Sequence, residues 1–144
     1  MSSESSKTEV GSYFISNYPP FSQWQKDELE LVKKAMAEPP RPVPLGLYLH
    51  IPFCRKRCKF CYFKVFTDKN AKEIETYVSA LCREIELISQ QPVMGDRPFR
   101  FVYFGGGTPS LMPVSIIERI LETIEELFIL HPKIEITVEA NPSS

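Results

Sequence analysis

An α/β fold of parallel strands joined by crossover helices, the first βαβαβ part of a barrel, is predicted by three observations. Short β-rich runs alternate with amphipathic helical stripes along residues 46–144. Each pair of consecutive β-runs is separated by a helix-length segment, and the right-handed crossover rule makes strands connected in this way parallel. The three stretches richest in chemistry-bearing residues and glycine all follow β-runs, at the strand ends where parallel sheets gather their sites. A dinucleotide-binding fold would require G-x-G-x-x-G after the first strand; the sequence has none there, so a barrel segment fits better.

Taken in order, residues 1–10 (MSSESSKTEV) are polar and serine-rich and read as a disordered tail. An N-terminal extension over residues 11–45 follows. It holds the aromatic, proline-bearing GSYFISNYPPFSQW (11–24), a short helix in QKDELELVKKAMA (25–37), and the linker EPPRPVP (38–44). The prolines of the linker lack the N–H that a helix needs and end it. The βαβαβ part occupies residues 46–144. GLYLHI (46–51) is the first strand. NAKEIETYVSALCREIELISQ (70–90) sets Ile74, Val78, Leu81, Cys82, Ile85 and Ile88 on one helical stripe with charge opposite. FRFVYF (99–104) is the second strand and runs into GGGTPS. VSIIERILETIEELFIL (114–130) is the second helix, with Pro113 near its first turn and a capping box predicted from Ser115 to Glu118. KIEITVEA (133–140) is the third strand.

The 144 residues are about one domain's worth, enough for a real core, and a formal net charge of -1 provides no global field to recruit nucleic acid or anionic lipid. The N-terminus has no basic start followed by an apolar run, and no apolar span is long enough to cross a bilayer. Neither nucleic acid nor membrane is therefore expected as a partner, and a reducing, cytoplasmic setting is expected. Three of the four cysteines crowd into CRKRCKFC (54–61), which without an export signal fits metal ligation better than a disulfide framework.

Thiolates are soft ligands and select zinc or an iron-sulfur cluster over hard cations. Structural zinc wants four closed ligands, and a second cysteine or histidine pair is missing here. Three thiolates on a four-iron cubane leave one iron open to a small chelating molecule. Cys82, on the apolar helix stripe, reads as a small buried hydrophobe. His50 could complete a tetrahedral site by composition, but its place within a strand favours packing or hydrogen bonding.

The spacing C-x3-C-x2-C with an aromatic before the last cysteine (Cys54, Cys58, Phe60, Cys61) resembles the fingerprint of the radical S-adenosylmethionine (SAM) enzymes. LYLHIPFC (47–54), YFGGGTPS (103–110) and VEANP (138–142) resemble the oxygen-independent coproporphyrinogen III oxidase-like branch, and SNYPPF (16–21) is similar to its leader. That branch also contains haem-chaperone-like proteins and class C methyltransferase and cyclopropanase relatives. The resemblance runs over residues 11–144.

It implies a partial (βα)6 TIM-type barrel, of which this chain is expected to be the N-terminal half. It also implies a [4Fe-4S] cluster on Cys54, Cys58 and Cys61, with SAM as the second cofactor and reductive cleavage to a 5'-deoxyadenosyl radical. By the same resemblance Gly105, Gly106, Gly107 and Thr108 would lie against SAM, the glycines admitting backbone close to its ammonium. Tyr48 would face the SAM end of the barrel, and Glu139 would hydrogen-bond SAM, although as a strand residue alternating with Thr137 and Glu135 it also reads as part of a solvated face. Phe60 would pack by the adenine or shield the cluster from water. No catalytic residue is assigned. The substrate implied is a small molecule, with a tetrapyrrole the class the branch points to.

Arg55, Lys56, Arg57, Lys59 and Lys64 make the cysteine loop basic in a chain that is not. This suits a solvated loop, a landing site for an acidic flavodoxin or ferredoxin as electron donor, or contact with substrate carboxylates. Two positions depart from the branch. Phe63 stands where the haem-making oxidases usually carry a further cysteine, and Tyr62 replaces the small or acidic residue common after the cluster. With only three strands, the chain is expected to hold SAM weakly and to yield little 5'-deoxyadenosine by itself.

Overall fold

A computed structural model of the chain describes Gln25, residues 28–61 and residues 63–142. The expected disordered tail, the segment 11–24 and Tyr62 lie outside the described residues. The chain divides into two compact units, residues 1–35 and 36–144, a boundary that falls before the proline-rich linker. In chain order the elements are helix α1 (Leu29–Ala37), strand β1 (Leu45–Ile51), helix α2 (Ala71–Ser89), strand β2 (Phe99–Gly106), a 3-10 turn (Pro109–Leu111), helix α3 (Val114–Leu127) and strand β3 (Leu130–Val138). The first helix, α1, buries no residue.

All pairing is parallel and the strand order is β1-β2-β3, so each helix-bearing connection returns the chain to the next position in the sheet. The β2–β3 ladder steps from Phe99↔Leu130 to Phe101↔Glu135, an irregularity that takes in Pro132, which has no N–H for a ladder. The third strand thus begins at Leu130 rather than at Lys133, because the chain already extends at Phe128 and the Phe99 amide donates to the Ile129 carbonyl at 2.9 Å.

Helix α2 begins on a complete capping box. Asn70 accepts from the Glu73 amide at 3.0 Å, and Glu73 accepts from the Asn70 amide at 3.1 Å. The capping box predicted between Ser115 and Glu118 does not form. Pro113 is the N-cap of α3 and Val114 its first residue, so Ser115 lies inside the first turn, where its hydroxyl cannot cap.

The helices cover one face of the sheet. Leu49 and Ile51 of β1 and Val102 and Phe104 of β2 meet Val78 and Ile85 of α2 and Ile120 and Ile124 of α3 in one buried cluster. Burying each such side chain contributes about 1.5–3 kcal/mol. An ion pair between Arg119 and Glu75 joins the outer sides of α2 and α3. The next strand positions alternate away from this core: Tyr48 pairs in register with Tyr103, Tyr103 with Thr137, and His50 with Gly105. On this second face the Phe101 ring fills the space a side chain at Gly46 would need.

Candidate functional site

The cysteine loop leaves β1 at its C-terminal end and is closed at its base. Phe53 bridges Phe66 in parallel, the Cys54 amide donates to Phe66 O at 3.0 Å, and the Phe66 amide donates to Pro52 O at 2.8 Å. On the other side the β1–β2 pairing continues past the strands: Gly107 N–H donates to Ile51 O and Thr108 N–H to Phe53 O, each at 2.8 Å. The three cysteines therefore hang from a loop clamped between residue 66 and the glycine turn. Within it the Cys61 amide donates to Cys58 O at 3.1 Å, and the Arg57 guanidinium donates to Cys61 O at 3.1 Å.

Cys54 and Cys61 are half-buried and Cys58 is exposed; all three, with Cys82, are free thiols. Thr108 Oγ1 lies 3.5 Å from Cys54 Sγ, and Cys61 Sγ lies 3.8 Å from Phe63 O. Among the described residues no three Cys, His, Asp or Glu side chains converge as a ready metal site. The fit to an iron-sulfur cluster is one of donor set: three free thiols on one irregular loop, with no further cysteine or histidine on it among the described residues. Cys82 packs against the hydrophobic cluster on α2, away from this loop. Phe60 is 80 % exposed on this loop.

At the C-terminal ends of β2 and β3 the other expected residues gather. Glu139 follows β3, its amide donating to Phe104 O at 3.0 Å and its carbonyl accepting from Ser110 N–H at 3.2 Å. Its carboxylate accepts from Tyr103 Oη at 2.7 Å and from Gly106 N–H at 3.1 Å. Tyr48, 52 % exposed, stacks on Tyr103 with ring centroids 6.0 Å apart. Its hydroxyl lies 3.1 Å from His50 Nδ1, and the His50 carbonyl in turn accepts from Tyr77 Oη at 2.6 Å.

The glycine turn has structural reasons that its composition did not reveal. Gly106 holds φ at 111°, a conformation that side chains disfavour. A Cβ at Gly107 would come within 2.6 Å of the Phe53 carbonyl oxygen, in backbone that cannot step aside. Gly105 faces only the movable rings of Tyr48 and Tyr103. The positive φ thus accounts for Gly106, and the close passage of the Ile51–Phe53 backbone for Gly107, independently of any ligand.

The electrostatics of the cluster follow from burial and from Glu139. Burial, then the Glu139 charge, raises the Tyr48 phenol above its ordinary range. Burial pulls His50 below its ordinary value, and Glu139 opposes that pull. The hydrogen bond to Glu139, more than burial, raises Tyr103, which keeps its hydroxyl protonated and donating. Tyr103 was not singled out in the sequence, although its alternation with Gly105 ahead of the turn places it on the same face as Tyr48.

A barrel-type parallel sheet with a three-thiol loop after β1, a glycine turn after β2 and a carboxylate after β3 defines a class, and the sequence matches the radical SAM superfamily over residues 48–144. The chain belongs to that superfamily. Among curated relatives it is 37% identical to the heme chaperone HemW of Synechocystis, over 71% of this chain and 25% of that protein. It is 42% identical to the anaerobilin synthase of Escherichia coli O157:H7, over 65% of this chain and 21% of that protein. The solved coproporphyrinogen III oxidase HemN of Escherichia coli, a radical SAM enzyme, superposes with a TM-score of 0.75 at 31% identity, over 90% of this chain and 29% of that one. The chain spans about a quarter of the length of the curated relatives it matches. No helix among the described residues is long and apolar enough to cross a membrane.

Proposed function

We propose that this chain carries the cluster- and SAM-holding part of a radical SAM protein of the coproporphyrinogen III oxidase-like type, acting on a tetrapyrrole. One observation supports it most. The cysteine loop, the glycine turn and Glu139 stand at one end of one sheet and touch one another through Thr108 Oγ1 to Cys54 Sγ and Gly106 N–H to Glu139. A [4Fe-4S] cluster and SAM held there would supply radical chemistry able to take hydrogen from an unactivated carbon.

The work of the chain itself is holding and positioning. Cys54, Cys58 and Cys61 are the thiolates that would hold the cluster, three ligands for its four irons. The Glu139 carboxylate, with an unused lone pair on each oxygen, receives an ammonium or ribose donor. Gly105, Gly106 and Gly107, with Thr108, bring backbone up to the same ligand, and Tyr48 walls it from the β1 side. Phe60, exposed on the loop, is available to lie against the adenine. The basic residues around the cysteines receive an acidic flavodoxin or ferredoxin.

A haem-handling reading has its own support in the likeness to heme chaperone HemW. Phe63 adds to it, since its ring tilts over His50, centroids 6.0 Å apart, at the position where a further cysteine is expected in the oxidases.

Anaerobic reconstitution with iron and sulfide, read by metal and sulfide counts and Mössbauer spectra, tests the cofactor. A cubane is expected in the wild type and in Cys82→Ser, and its loss in Cys54→Ala, Cys58→Ala or Cys61→Ala. Tight stoichiometric zinc without an iron-sulfur signature would sink the proposal. Haemin titration beside coproporphyrinogen turnover in the natural full-length protein separates the two activities.

A further inference from the structure

Glu139 is held at four points by the neighbouring strand and the turn after it. Its amide donates to Phe104 O at 3.0 Å, its carbonyl accepts from Ser110 N–H at 3.2 Å, and its two carboxylate oxygens accept from Tyr103 and Gly106. Two of these partners, the Phe104 carbonyl and the Tyr103 hydroxyl, lie within β2, and Gly106 is its last residue. The third lies in the 3-10 turn, and the fourth, Gly106 N–H, belongs to a residue at φ 111°. A carboxylate of free rotation would offer SAM many orientations; one gripped by a phenol and an amide offers two fixed lone pairs.

We propose that Tyr103 is a positioning residue: its phenol hydroxyl aims the Glu139 carboxylate and, through it, holds the Gly106 amide, so that the glycine turn and the acid present one rigid surface to the cofactor. This rests on the SAM-binding reading above. The geometry favours the role in three ways. The Tyr103–Glu139 hydrogen bond, at 2.7 Å, has the length of a charge-assisted bond from a phenol to a carboxylate. The Tyr103 ring is itself located by stacking on Tyr48, at an interplanar angle of 20°. The Thr137 hydroxyl, whose residue pairs with Tyr103 in register, is engaged with Glu135 at 3.2 Å and does not substitute for it. A phenol also leaves Glu139 its charge, which a lysine in the same place would neutralise before an ammonium arrived.

The test is Tyr103→Phe, which keeps the stacked ring and deletes only the hydroxyl. Amide exchange at Gly106, followed by NMR in the cofactor-free chain, reads the brace, and SAM affinity of the anaerobically reconstituted natural full-length protein, followed by titration, reads its purpose. The expected result is faster Gly106 exchange together with SAM binding weaker on the order of tenfold. Unchanged exchange overturns the brace, and faster exchange with unchanged affinity overturns its role in positioning. A wild-type natural full-length protein that binds no SAM removes the cofactor reading beneath the proposal. The Gly106 exchange, which needs no SAM, tells that failure apart from failure of the brace. Should Tyr103→Phe lose its fold, judged by circular dichroism, Glu139→Gln keeps the side-chain shape but can accept only one of the two hydrogen bonds, and unchanged SAM affinity there overturns the proposal as well.

Discussion

His50 shows how one side chain records its surroundings. It sits near the end of β1 with its ring 3.1 Å from the Tyr48 hydroxyl, under Phe63, and its ring takes the space that a Cβ at Gly106 would require. Burial lowers its pKa from the ordinary 6.5, and the Glu139 charge only partly opposes this. The folded state therefore binds the His50 proton less readily than the unfolded chain does. Stability from this group is fully present above pH 6.5 and is lost as pH falls through the lowered folded value. Melts taken from about pH 8 down to about pH 5 should show a falling Tm that His50→Gln flattens. An equal fall in the variant would assign the loss to other groups.

At the scale of elements, the two long helices reach the same length class by different routes. The Asn70–Glu73 capping box and the Lys69–Glu73 pair at 2.8 Å start α2. The α3 helix starts on Pro113 with no side-chain cap, and the burial of Ile120 and Ile124 beneath it supplies what the cap does not. Asn70→Ala should cost about 1 kcal/mol in urea denaturation, because an N-cap acceptor is lost where the amide below has no other partner. Ser115→Ala should lie within about 0.5 kcal/mol of wild type. The periodicity of Val78 and Ile85, and of Ile120 and Ile124, was legible in the sequence, since a helical stripe facing a sheet is a repeat of residue types. The capping pattern was not, because N-x-x-E and S-x-x-E read alike until the first helical residue is known.

Across the whole molecule, one sheet face is closed by α2 and α3 and the other carries Tyr48, His50, Phe101 and Tyr103. On β3 the core-side residues Ile136 and Val138, in register with Val102 and Phe104, remain 43% and 40% exposed. The core is therefore densest at β2, where Phe104 is fully buried. Phe104→Ala should destabilise unit 36–144 by about 3–5 kcal/mol, read as a lower denaturant midpoint with an unchanged slope. A loss below about 1 kcal/mol would show that β2 is not the centre of the fold.

The sequence by itself determined the α/β class, the order and approximate limits of the strands and helices, and the three-cysteine loop. Each of these is a local repeat or spacing of residue types, and local patterns are set before the chain folds. It also indicated that the chemistry-bearing stretches follow strand ends, because the crossover rule is a property of any βαβ unit. Only the tertiary structure decided that Tyr103 grips Glu139 across a separation of 36 residues, and that Gly106 and Gly107 are needed where the turn passes the end of β1. It also decided that Phe60 stands in solvent and that Pro113 starts α3. These depend on which backbone passes which, at distances of a few ångströms, and strand register, which residue types do not encode locally, sets those distances.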